Sequence, residues 1–151
     1  MTYKIPQQRC KLVSDGRKPF LSPLETIDSA FAASTVLRAY YRREALPHER
    51  MIVLALNGAS RIIGLYVIAE GGIGSVSVKA HDVFRPLLVA GAAAFIIAHN
   101  HPSGGPEPSA EDVIFTEGLR SAADVMGLPM LDHVIVTTQG ETTSLKDRGF
   151  C

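Results

Sequence analysis

Two histidines one residue apart, His99 and His101, are followed after seven residues by Ser109 and then, three positions on, by Asp112. A catalytic zinc usually takes three protein ligands and leaves its fourth position to water. Side chains alternate along an extended chain, so two histidines in this spacing at a strand end point the same way. Both imidazoles can then reach one ion at roughly 2.0–2.1 Å. Pro102 biases His101 away from helical geometry and keeps the pair extended. Asp112 is the candidate third ligand, because a carboxylate in a helix's first turn can point back towards the preceding loop. His-His-Asp with an open position is a hydrolytic set, unlike the closed Cys or Cys/His set of a structural site. One zinc ion per chain is the expectation.

Ser109 and Asp112 share a helical face, and Glu111 points elsewhere. The same Ser-x-x-Asp pattern is also a helix N-terminus, with Ser109 as cap and Asp112 stabilised by the macrodipole. The two readings are compatible. The Ser109 oxygen can accept a backbone N–H while its hydrogen faces a developing oxyanion.

These residues need elements to position them. An apolar run at 94–98 reads as a buried strand delivering the chain to His99, and the stretch from Ser109 to Met126 reads as a long amphipathic helix. Gly127 and Pro129 end that helix, a strand follows at 131–137, and a short one at 141–144. Upstream, residues 1–21 read as an irregular arm. Ser22, Pro23 and Glu25 suggest a capping box opening a helix that runs to about Arg43. A continuous apolar run at 51–56 suits a strand buried on both faces. Asn57-Gly58 and the stretch 61–69 complete a hairpin, 75–78 alternates like a third strand, and 81–91 carries a helical stripe. The order predicts an α/β (α+β) fold, a mixed sheet flanked by helices, with residues 22–151 as a single domain.

At 151 residues and 46% hydrophobic, the chain can bury a real core. Its net charge is zero, which argues against non-specific nucleic-acid binding as the main activity. Arg38, Arg42, Arg43 and Arg50 cluster in sequence and read as cations complementing a helix end. Cys10 and Cys151 match no zinc-ligand spacing and point to a reducing compartment. There is no signal-peptide core, and the longest apolar stretch, 87–98, falls short of the about 20 residues of a membrane span. A soluble, cytoplasmic protein is expected, without a membrane partner.

The string His99-Asn100-His101-Pro102-Ser103-Gly104, with Pro108-Ser109, Asp112, Thr116 and the later Leu131-Asp132-His133-Val134-Ile135, resembles the RadC branch of the JAMM (MPN) zinc metalloproteases. The resemblance covers about residues 49–150. It implies the three-layer MPN/JAMM (cytidine-deaminase-like) architecture and a zinc ion on His99, His101 and Asp112, with Ser109 assisting at the oxyanion. It also implies that Glu49, just before the first buried strand, is the general acid/base. The activity it implies is hydrolysis of a peptide or isopeptide bond in a protein substrate, including conjugates of ubiquitin-like tags.

From the residues alone, Glu49 reads as a charge paired with Arg50 or Arg43, and Glu44, Glu70 and Glu107 rival it. His133 reads either as a residue backing a ligand or, more simply, as a ring satisfied within the core. Two departures from the RadC pattern stand out. Only about 45 residues precede Glu49, where a full-length RadC carries a helix-hairpin-helix-like region, which weakens a DNA-related role. Ala80-His81-Asp82 also stands where relatives carry Pro-Arg-Glu. Two further readings compete with a peptidase. A RadC-like hydrolase of nucleic acid would more naturally use several carboxylates and paired metals. A non-catalytic MPN interaction domain, in a DNA-associated or mobile-element context, would typically lack the ligands. Apolar edge strands make homo-oligomers plausible.

Overall fold

The computed structural model describes residues 22, 24–71 and 78–151. The arm expected at 1–21 and the strand expected at 75–78, except Val78, lie outside the described residues; Val78 itself is not in a strand. The elements run α1 (Ala30–Glu44), β1 (Arg50–Leu56), β2 (Ile62–Glu70), α2 (Ala80–Ala90), β3 (Ala94–His101), α3 (Ala110–Met126), β4 (Met130–Thr137) and β5 (Thr142–Ser144). The strands form one five-stranded sheet in the order β2-β1-β3-β4-β5. The β3–β4 pair is parallel and the others antiparallel, so the sheet is mixed.

Strand β1 is buried along its whole length, which is why its sequence from Met51 onward is continuously apolar rather than alternating. Ile52, Leu54 and Leu56 pack with Val36, Leu37 and Tyr40 of α1. Met51, Val53 and Ala55 pack on the other face, with Val83 and Leu87 of α2 and Leu119 and Ala123 of α3. The result is three layers, α1, then sheet, then α2 and α3. Glycines Gly91 and Gly127 close α2 and α3 at φ 68 and 63, a left-handed turn that a side chain would strain.

The expected start of α1 is corrected. Its N-cap is Ser29, whose Oγ accepts the Ala32 N–H at 3.1 Å. Residues 25–27 are instead drawn out beside the start of β2. Ile27 donates its N–H to the Ser60 carbonyl and Glu25 accepts from Ile62 N–H, both at 2.9 Å. This pairing buries Ile27, and the β-branched Thr26-Ile27 pair suits extended backbone better than a first helical turn. The β1–β2 connection spans residues 57–61, longer than a two-residue turn. The Asn57 side chain organises it by accepting the N–H groups of Ala59 and Arg61 at 2.9 and 3.0 Å. At the RadC-divergent segment, Asp82 accepts the Lys79 N–H at 3.0 Å and so caps α2.

Candidate metal centre

The chain leaves the sheet at the carboxyl end of β3, where α/β sheets commonly hold ligands. His99 and His101, two apart on that strand, project to the α3 side. Asp112 approaches from the first turn of α3. Their donor atoms converge. His99 Nε2 lies 3.0 Å from His101 Nε2 and 3.3 Å from Asp112 Oδ1, and His101 Nε2 lies 3.4 Å from Asp112 Oδ2. Bonds of about 2.0–2.1 Å at tetrahedral angles would set three donors about 3.3 Å apart. The three residues therefore form a cluster of a size that could hold a metal ion. His99 and Asp112 are buried, and His101 closes the site towards solvent.

The capping box and the ligand set are one structure. Ser109 Oγ accepts the Asp112 N–H at 3.1 Å, and Asp112 Oδ2 accepts the Ser109 N–H at 2.8 Å. These bonds aim the carboxylate back at the histidines. Burial pushes the Asp112 pKa up, but the Ser109 N–H and the neighbouring His101 and His99 rings, which donate to it when protonated, outweigh that and hold the carboxyl far below the usual range. The same Asp112 contact raises His101, with burial opposing.

The hydrogen-bond partners also fix where the ring protons sit. A carbonyl only accepts, so His101 Nδ1, 2.9 Å from the Gly105 carbonyl, carries the hydrogen and leaves Nε2 bare. Thr116 donates its hydroxyl to the Asp112 carbonyl at 2.6 Å and so accepts from His133 Nδ1 at 2.5 Å. Burial, with the nearby His99, pushes His133 well below its ordinary pKa and keeps it neutral. Its Nε2 then accepts from His99 Nδ1 at 2.8 Å, which leaves His99 Nε2 bare as well. Two lone pairs therefore face each other across 3.0 Å with a carboxylate beside them. Such a donor set suits a cation. His133 is a fully buried ring with both nitrogens satisfied, as expected, and one of its two partners is a candidate ligand. The signal for it was its parallel pairing partner, Ile97, two residues before His99 on β3, which needs the sheet register.

Glu49 lines the same cavity, of about 320 Å³, as His101, Ser109, Asp112 and the exposed Glu111. The rivals are committed elsewhere. Glu44 and Glu70 both pair with Arg50, and Glu107 pairs with Arg148. Asn100, pointing to the α1 side between the two histidines, accepts the Arg50 N–H at 2.7 Å and donates to the His48 carbonyl at 3.0 Å. Its amide thus grips the backbone on both sides of Glu49. Asp132 accepts the N–H groups of His133 and Lys146 at 2.7 and 3.1 Å and ties β4 to the chain's last turn.

Comparison with known proteins agrees with this geometry. The RadC-like JAB domain family matches residues 27–150, and the chain belongs to that family. Several similar relatives are named UPF0758 proteins. That of Carboxydothermus hydrogenoformans is 41% identical over 99 residues, 64% of this chain and 44% of the relative. That of Salinibacter ruber is 45% identical over 104 residues, 69% and 44%. That of Syntrophotalea carbinolica is 37% identical over 129 residues, 85% and 56%. The chain spans about half the length of these curated relatives. Among the described residues, no helix is long and apolar enough to cross a membrane.

Proposed function

We propose that this JAB domain is a zinc-dependent hydrolase of peptide or isopeptide bonds, with Glu49 as general acid/base. The observation that carries the reading is one cavity lined by Glu49, Ser109, His101 and Asp112, with His99 converging on the last two from beneath. Two imidazoles and one carboxylate favour zinc over magnesium or calcium, which prefer all-oxygen sets. Bound zinc supplies Lewis acidity and lowers the pKa of water from 15.7 to about 7.

The chain's own groups supply the rest. Glu49 takes the proton of the attacking water and returns it to the departing amine, as base and then acid. The Ser109 oxygen accepts the Asp112 N–H, which leaves its hydrogen to donate to the oxyanion. A well-placed donor of this kind is worth about 3 kcal/mol. Asn100 holds the Glu49 segment, and the chain from Thr116 through His133 to His99 keeps the His99 lone pair aimed into the site.

The test combines metal content with turnover of peptide-linked substrates, a single-stranded nucleic-acid substrate and a chelator control. Glu49→Gln should retain zinc and lose peptide turnover, while Asp112→Asn should lower zinc stoichiometry. Unchanged turnover in Glu49→Gln would remove Glu49 from the mechanism. Chelator-sensitive cleavage of the nucleic acid alone would replace the peptide reading.

A further inference from the structure

A second cavity, of about 180 Å³, lies on the opposite face of the sheet, between α1 and the carboxyl ends of β3 and β4. Arg38 and Arg42, one helical turn apart, form one wall; Asn100, Thr137, Thr138 and Gly140 stand on the other. None of the described residues lining it is Asp or Glu. Arg38 Nε is buried and meets no acceptor among the described residues. Arg38 as a whole is half-buried, but an N–H held away from water is normally paired, so its Nε is a donor in want of an acceptor.

Arg42 shares the cavity but also lies, with Arg43, in the last turn of α1, where cations complement the dipole, so it is the weaker pointer to a ligand. Arg50 opens β1 and is satisfied by Glu44, Glu70 and Tyr40. Arg38 sits in the middle of α1, beyond the reach of the helix end.

We propose that this cavity is an oxyanion subsite that takes a carboxylate of the substrate, an acidic side chain or a C-terminus. Arginine forks bind carboxylates bidentately. At about 180 Å³ the cavity is smaller than the about 300–1,000 Å³ of pockets that enclose a drug-sized ligand, which suits a small acidic group. A nucleic acid would also call for a longer track of cations than two arginines in a neutral chain. Pro102 lines both this cavity and the metal cavity, so a peptide crossing the end of β3 meets both. The subsite rests on the peptide reading above for its occupant, but its binding needs no metal and no turnover.

The experiment titrates the metal-free full chain and follows backbone amides by NMR. The probes are a short Glu-rich peptide, its Gln counterpart, inorganic phosphate and a single-stranded oligonucleotide. The Glu peptide should shift Thr138, Gln139 and Gly140 saturably, at least tenfold more tightly than the Gln peptide. Arg38→Gln should weaken that binding at least tenfold, with Arg42→Gln in the same direction and both spectra remaining folded. The proposal is overturned if the shifts persist in Arg38→Gln or fall only around Gly105 and Ser109. Phosphate binding as tightly as the Glu peptide would make it a free-anion site instead. Tighter binding of the oligonucleotide would replace the peptide class. Failure here leaves the Glu49 test untouched, and failure of the Glu49 test leaves this binding untouched.

Discussion

Thr116 touches no donor of the candidate metal site, yet the direction of its one hydroxyl hydrogen decides which nitrogen of His99 is bare. With Thr116→Val, His133 loses its acceptor at Nδ1 and can turn its proton towards His99, which moves the His99 hydrogen to the ligating side. Metal affinity should fall about 10–100-fold, as for other residues that orient a ligand. Thr116→Ser should restore it. Competition with a chelator measures the loss, and histidine ring nitrogen shifts report the tautomer.

The metal-free protein should also have a two-sided pH dependence. His101 has a raised pKa, so its stabilising contact with Asp112 is complete below the ordinary value of about 6.5 and is lost as pH rises through the raised value. His133 has a lowered pKa, so its contribution is complete above about 6.5 and is lost as pH falls towards the lowered value. Thermal unfolding of chelated protein should peak near neutrality, and His101→Asn should remove the alkaline decline. An unchanged profile in that variant would separate His101 from the effect.

At the scale of elements, β3 works on both faces at once. His99 and His101 face α3, while Asn100 faces α1 and grips the segment that carries Glu49. Asn100→Ala should leave metal content intact and lower turnover, because the proposed acid/base is displaced while the candidate ligands are not. It should also cost about 1–3 kcal/mol from the stranded Arg50 N–H and His48 carbonyl. A parallel loss of metal would show that the histidines, rather than Glu49, depend on it. At the start of α1 the corrected cap makes a clean contrast. Ser29→Ala should lower stability by about 1 kcal/mol and Ser22→Ala by less than about 0.5, read from denaturant midpoints.

Element signals in this chain were legible where local chemistry decided them. The apolar run 51–56 of β1, the Gly-terminated α2 and α3, and the Ser109 cap are local patterns, and the structure has them in place. The convergence of His99, His101 and Asp112 was legible because strand alternation and a helix's first turn both have short periods. What the sequence hid was set by pairing across the sheet. Residues 25–27 carried a cap-like pattern that lost to strand pairing with β2. Asn100, Thr116 and His133 act through partners 17 to 52 positions away, which no local spacing encodes.

At the scale of the whole molecule, the central sheet is packed on both faces, and each face has its own core. Leu37→Ala, against α1, and Leu87→Ala, on the opposite face, should each cost about 2–5 kcal/mol. The two residues occupy separate clusters across the sheet, so the double variant should lose close to the sum. A marked shortfall would mean that the two layers unfold in separate steps.

The segment 102–108, between the histidine strand and α3, is exposed at Ser103, Gly104, Gly105 and Glu107. Its two ends are His101 and the Ser109–Asp112 cap, so an ion held by His99, His101 and Asp112 would also fasten this loop like a clasp. Mass action then makes the loop's susceptibility to proteolytic nicking a gauge of metal occupancy. A protease that cuts there should act faster after chelation, slow again on readdition of zinc, and ignore both treatments in Asp112→Asn.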